Sequence, residues 1–292
     1  MESLLQNWWF PVAAGLLCYG LFAFLYKAAA EAGMDSVAVV NVSTLTVFGL
    51  GGVLLLLRPA PAVGDPVLLL LAAGNGAFFM LGSVLKVESL KFLPASVAFS
   101  LSKLNLVFVV VIAVAVFGER PSLRQSLGIA AAAAMVAVAR RRPPGAAVPE
   151  LRARGRGVFL AAGAALCTSI TLSLGRCAAR SPLDRVLYVT LSYGLAAALA
   201  FAWNRFRGPR PRRLPPRWTL LAAGAGVLNF LGYLAVLQAF AVAPLSVVQP
   251  LFAMSILIPI ALSTVFYREK LTARNLAAVG LALLAVALLK AG

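Results

Sequence analysis

Apolar residues run in long stretches along this chain, separated by short clusters of Arg, Lys, Pro and Gly. A helix needs about 20 apolar residues to cross the hydrocarbon of a bilayer. Ten segments meet or approach that length: 8–30, 36–57, 66–87, 94–117, 122–139, 157–179, 183–206, 216–242, 244–267 and 272–289. They are rich in Ala and Leu and lack two-residue alternation, so they read as helices and not as barrel strands. Pro66, Pro94, Pro216 and Pro244 stand at first helical turns, where the missing N–H costs nothing. Ser122 and Thr272 are placed to cap the fifth and tenth segments. The pattern predicts an all-α integral membrane protein with ten transmembrane helices.

The second half of the pattern repeats the first. Residues 68–140 align without a gap on 218–290, an offset of 150. Gly74, Gly76 and Gly82 fall on Gly224, Gly226 and Gly232; Pro94, Glu119 and Arg124 fall on Pro244, Glu269 and Arg274. At an offset of 149, Cys18 meets Cys167, Lys27 meets Arg176, and Asp35 meets Asp184. The predicted domains are a five-helix repeat over 1–140, an Arg- and Pro-rich linker over 141–156, and a second five-helix repeat over 157–292. Five is odd, so the second repeat enters the bilayer from the opposite face. The expected architecture is two inverted repeats with a cavity between them.

Composition agrees. The chain of 292 residues is 62% hydrophobic and 12% charged, with a mean hydropathy of +0.94, whereas soluble domains carry about 25% charged residues. The net charge of +17 resides in loops beside apolar spans. It reads as contact with anionic headgroups and not as nucleic-acid binding. Loops 1–2, 3–4, 5–6, 7–8 and 9–10 hold 18 of the 26 basic residues and the other side holds 7, Lys103 being the remaining one. The positive-inside rule then puts both termini outside a multi-pass plasma-membrane protein. The N-terminus lacks the basic region and cleavage site of a signal peptide, so the first run is expected to be retained. Cys18, Cys167 and Cys177 form neither a disulfide framework nor a metal spacing. Histidine is absent. No metal, cofactor or nucleotide-binding loop is expected.

The two five-helix halves, the Gly-rich third and eighth segments, and the short turns into Pro94 and Pro244 carry a resemblance. So do the paired junctions Gly118-Glu119-Arg120-Pro121-Ser122 and Arg268-Glu269-Lys270-Leu271-Thr272. The chain resembles the drug/metabolite transporter superfamily, EamA type, over nearly its whole length. The resemblance implies transport of small organic solutes, often export of amino acids or related metabolites. Relatives exchange nucleotide sugars or sugar phosphates, or flip polyprenyl-linked sugars. Members are usually drawn with both termini in the cytoplasm, which the loop charges here oppose.

Lys103 is the first candidate for binding solute, as an ammonium about ten residues into the fourth segment; a structural lysine paired with Glu88 or a helix-end carbonyl, and a proton carrier, are the alternatives. A membrane-embedded Lys costs roughly 2.5–3.5 kcal/mol and usually faces a cavity. Ser96 and Ser100 share its helix face. The matching face of the ninth segment holds Ser246, Gln249 and Ala253, leaving one wall charged. Asn75, Phe79, Gly82 and Lys86 form one stripe; Ala225, Asn229, Gly232 and Val236 form its equivalent, with Tyr233 beside it. Asn75 and Asn229 hydrogen-bond either solute or a neighbouring helix. Asn41, with Thr44 and Phe48, and Tyr188, Ser192 and Tyr193 are further candidates for the same cavity. Gly74, Gly82, Gly224 and Gly232 are read as packing residues.

Lys27 and Arg176 either snorkel to the interface or act as cationic gates. Lys86 and Glu88 are further gating or coupling candidates, Glu88 being mirrored by Gln238. Glu119 and Glu269 are read as favourable charges at the helix starts that follow them. The expected function is alternating-access transport of a small anionic or zwitterionic metabolite by a monomer or homodimer. A flippase or exchanger for a phosphate-bearing substrate is the alternative. With no His and nine carboxylates, a membrane enzyme is disfavoured. A scaffold that carries no solute would lack a polar-lined void at mid-membrane.

Overall fold

The computed structural model describes residues 9–58, 64–89, 92, 101, 104–138, 151–207, 214–266 and 273–290. Its helices are α1 Trp9–Glu31, α2 Ser36–Leu56, α3 Pro66–Ser89, α4 Asn105–Ala115, α5 Leu123–Val138 and α6 Leu151–Arg180. They continue with α7 Arg185–Arg207, α8 Pro216–Val242, α9 Leu245–Ala253, a 3₁₀ turn at Met254–Ile256, α10 Leu257–Phe266 and α11 Ala273–Lys290. Six of these are long and apolar enough to cross a membrane, and four shorter apolar helices accompany them among the described residues. Large apolar side chains point outward, among them Leu56, Leu70, Phe159, Phe201 and Leu220. That is a lipid-facing surface, on which an exposed Leu needs no cover. The chain is a multi-pass membrane protein.

Helix starts follow local chemistry. Asp35 Oδ1 accepts from the Ala38 amide at 3.2 Å, and Asp184 Oδ1 accepts from the Leu187 amide at 2.8 Å. These aspartates are repeat equivalents, so α2 and α7 are capped alike. Asp65 caps α3 through the Val67 amide at 2.8 Å. Ser122 and Gln125 form a reciprocal capping box at the start of α5, at 2.9 and 3.2 Å. Helix α6 begins at Leu151, ahead of the expected 157, because Leu, Arg and Ala carry a helix readily past the bilayer edge.

The chain forms two compact units, and each draws on both halves of the sequence. The first unit comprises Met1–Met80 and Leu174–Val242; the second comprises Leu81–Ser173 and Ala243–Gly292. Within the first unit, α8 packs on α1, α2 and α7, and α2 packs on α7. Within the second, α11 packs on α5, and α9 packs on α4 and α5.

Glycines mark the closest approaches, and the contacts exchange between the repeats. In the first unit, a methyl group at Gly226 would lie 2.6 Å from the Ser43 carbonyl oxygen and 2.7 Å from Thr46 Cβ. A methyl group at Gly76 would press on the Ser192 carbonyl and lie 3.2 Å from Leu195 Cβ. Ser43 and Ser192 are equivalents, as are Thr46 and Leu195. In the same way, Gly232 faces Cys18 Cβ at 3.1 Å within the first unit, while Gly82 faces Cys167 Cβ at 3.0 Å within the second. Gly74 packs on Leu174, but Gly224 has nothing within 4 Å. The reading of Gly224 as a packing residue is therefore corrected: its place on α8 faces open space, about 200° round the helix from the seam that Gly226 occupies.

Glu119 takes a role that the sequence did not show. Gly118, at φ +64°, turns the chain after α4, and the Glu119 amide donates to the Ala113 carbonyl at 3.0 Å. A left-handed residue there favours glycine. The turn aims the carboxylate at a helix distant in sequence. Its oxygens accept from the Leu245 amide at 2.8 Å, the Ser246 amide at 2.9 Å and the Ser246 hydroxyl at 2.6 Å. Glu119 thus caps α9, while Ser122 and Gln125 close the start of α5. The first α9 amides have no acceptor from their own N-cap, since Pro244 makes no side-chain cap, and a carboxylate suits the positive end of the helix.

Two outcomes follow for thermal unfolding of the purified protein in detergent. Gly226→Val costs about 1–3 kcal/mol through overpacking, while Gly224→Val stays within about 0.5 kcal/mol of the parent. Glu119→Ala costs about 1–3 kcal/mol by stripping three hydrogen bonds from the α9 start, and equal stability of parent and variant would refute the capping role.

Candidate functional site

The first unit buries a polar and aromatic cluster contributed by α3, α7 and α8. Asn75 on α3, Tyr193 on α7, and Asn229 and Tyr233 on α8 are all buried. Asn229 Nδ2 donates to the Tyr193 hydroxyl at 2.9 Å, and the Tyr233 hydroxyl donates to Asn75 Oδ1 at 3.1 Å. Ring centroids of Tyr193 and Tyr233 stand 6.2 Å apart, and Phe79 packs on Tyr193 at 5.0 Å. Small residues make room: Gly175 on α6 leaves space that a methyl group would fill 3.0 Å from the Tyr233 hydroxyl. Asn229 and Tyr233 sit one turn apart on α8, and each reaches a different helix. Asn75 and Asn229, which come from opposite halves of the sequence, are each bonded to a tyrosine of the second half.

Two arginines hold one end of this unit. The Arg176 guanidinium is buried and donates through Nη1 to the Phe240 carbonyl in the last turns of α8. It does not snorkel; it serves a helix C-terminus, where carbonyls lack intrahelical donors and a cation is favoured. Arg185, the first residue of α7, donates to Gln238 Oε1. Sequence reading missed Arg185, because it looks like an ordinary interfacial arginine until α8 is placed beside it.

The second unit contains an interrupted ninth span. All residues of α9 from Leu245 to Ala253 are buried, Ser246 and Gln249 included. The helix tightens to a 3₁₀ turn at Met254–Ile256 before α10 resumes. Pro250 lies inside α9 and offers no N–H to the Ser246 carbonyl; Pro259 likewise offers none to Ser255. Breaks of this kind persist in a membrane only where the protein or a cavity satisfies the freed groups. On α6, the Ser169 hydroxyl reaches the Asn105 carbonyl at the start of α4, at 3.1 Å.

The remaining sequence candidates divide as follows. Lys103, Ser96 and Ser100 lie outside the described residues. Lys27 lies within α1, its side chain outside the description. Asn41 is half-buried on α2, and among the described residues no hydrogen bond ties it to the cluster; nearby Thr44 and Thr46 bond their own helix at 2.8 Å each. Lys86 and Glu88 are half-buried in the last turns of α3 and belong to the second unit. Among the described residues, no group of three His, Cys, Asp or Glu could hold a metal.

Comparison with known proteins places this geometry. No curated protein matches the chain in sequence. A solved crystal structure shares the fold with a TM-score of 0.76, covering 94% of this chain and 96% of its own at 16% identity. The model of the EamA-like transporter family matches twice, over residues 5–140 and 155–291. Together the two matches span nearly the whole sequence, one on each half of the repeat, and the chain belongs to the EamA-like transporter family.

Proposed function

We propose that this family member is a secondary transporter that moves a small anionic or zwitterionic organic metabolite by alternating access, with amino-acid or metabolite export as its direction of use. The observation that carries the reading is the buried Asn75–Tyr233 and Asn229–Tyr193 network. Polar side chains inside membrane helices are costly and mark solute pathways, and this one is drawn from three helices. The interrupted ninth span supports it, since a helix with a 3₁₀ turn and an internal proline bends with little loss of hydrogen bonding. The reciprocal glycine contacts support a two-fold relation between the halves, and with five spans in each half that relation is an inversion. Alternating access then exchanges the roles of the two halves. Lys103 supplies the cationic contact for the anionic end of the solute. The 18 basic residues on one side set both termini outside.

Reconstitution tests the reading. Liposomes preloaded with labelled L-leucine, L-phenylalanine and L-aspartate are expected to release at least one of them faster than protein-free liposomes. Asn229→Ala and Lys103→Ala are each expected to slow that release about tenfold, the scale of one lost hydrogen bond to a charged or well-placed group. Release equal to protein-free liposomes for every amino acid would overturn export of this class. For orientation, a cysteine replacing Ala146 in a cysteine-free background should react with impermeant maleimide from the cytoplasmic side alone.

A further inference from the structure

Helix α6 runs unbroken from Leu151 to Arg180, yet it belongs to both compact units: the second takes it as far as Ser173 and the first from Leu174 onward. Its contacts sort the same way. Up to Ser169 the partners lie in the second unit: Gly163 faces Leu85, Ala164 and Cys167 face Gly82, and the Ser169 hydroxyl donates to the Asn105 carbonyl. From Leu174 they lie in the first: Leu174 packs on Gly74, Gly175 faces Tyr233, and Arg176 donates to the Phe240 carbonyl.

Hydroxyls crowd the stretch where the partners change. Thr168, Ser169, Thr171 and Ser173 donate to the carbonyls of Ala164, Ala165, Cys167 and Ser169, at 2.9, 2.8, 3.0 and 2.8 Å. Each of these carbonyls also faces the helical amide four residues on. Hydroxyls that bond back in this way bend helices at small cost, because a carbonyl whose amide bond lengthens keeps a second donor. Inside a bilayer no water could take that donor's place. Helix α3 makes the opposite passage, from the first unit to the second, between Met80 and Leu81. Gly82 and Ser83 follow directly, and a Gly/Ser pair is a usual site of helix bending.

The repeat supplies the comparison. At the offset of 149, Thr168, Ser169, Thr171 and Ser173 meet Tyr19, Gly20, Phe22 and Phe24; at 150, Ser83 meets Tyr233. On α1 the rings pack together, Tyr19 on Phe22 at 6.3 Å and Phe22 on Tyr26 at 4.3 Å. Helices α1 and α8 each lie within the first unit alone. Small hydroxyl residues thus stand in the copies that pass from one unit to the other, and aromatic rings stand in the copies that do not.

We propose that α6 at Thr168–Gly175, with α3 at Met80–Ser83, is the hinge about which the two compact units move during transport. The proposal rests on the transporter reading above and adds where the motion is seated.

Spin labels on cysteines replacing Phe159 and Phe201, both exposed, in a cysteine-free background place one probe in each unit. Dipolar distance measurement on the purified full-length protein should give two populations about 5 Å apart, the shift of a 20° bend carried over roughly 15 Å of helix. The triple variant Thr168→Val, Thr171→Val, Ser173→Ala keeps Ser169 and its bond to α4. It should unfold at the temperature of the parent, lose the minor population and release solute from liposomes about three- to tenfold more slowly. One fixed distance in the parent, or two populations that the triple variant leaves intact, would overturn the proposal. Amide exchange of the parent checks it without any variant: residues 168–175 should exchange about tenfold faster than their equivalents 19–26, and equal protection refutes the hinge. Efflux with one fixed distance removes the hinge and keeps the transporter reading. Two populations that depend on the hydroxyls, without efflux, remove the transporter reading and keep the hinge.

Discussion

Hydrocarbon offers no water to accept a stray hydrogen bond, so each backbone or side-chain polar group inside the bilayer must find its partner within the protein. That constraint shapes the described structure at every level. Asp35, Asp65 and Asp184 close helix starts from within their own turns. Glu119 does the same for α9 across 126 positions of sequence. Arg176 and Arg185 close the opposite end of α8. Hydroxyls on Thr44, Thr168, Thr171 and Thr190 return to carbonyls of their own helices. The surface, by contrast, is free to be apolar, and so it is.

Within that frame the repeat governs packing. Helices in lipid gain little from burying apolar surface and much from close approach. Glycine provides the approach, and four of these glycines form two exchanged pairs: Gly76 with Gly226, and Gly82 with Gly232. The same pairs bring Ser43 and Ser192, or Cys18 and Cys167, against the partner helix. A contact used once in one half is thereby used again in the other, and both compact units come to be built from both halves of the sequence.

The departures from symmetry are where the buried polar cluster is concentrated. Asn75 is matched by Ala225 and Asn229 by Phe79, yet both asparagines reach the same tyrosine cluster from different helices. One residue of each mismatched pair gives hydrogen bonding; its counterpart gives a small or aromatic wall. Glu88 is matched by Gln238, and the amide accepts from Arg185. A transporter built from two copies needs such differences, because a solute with unlike ends cannot be read by like walls.

Much of this was legible in the chain itself. Long apolar runs predicted membrane helices, and aligned Gly, Pro and Glu residues revealed two copies. Asn75, Asn229 and Tyr233 stood out as polar positions on apolar stripes. The sequence assigned Glu119 to the nearest helix because only local neighbours are visible in a linear pattern. It likewise grouped Gly224 with the packing glycines of the same helix, since a rotation of about 200° from Gly226 decides nothing without the neighbour. Which hydroxyl meets which amide, which glycine meets which carbonyl, and which helix start a carboxylate serves are set by the angle and depth at which helices cross. Those are properties of packed pairs. Hydrophobic periodicity determines that a helix forms and spans; only the tertiary structure decides what each of its faces touches.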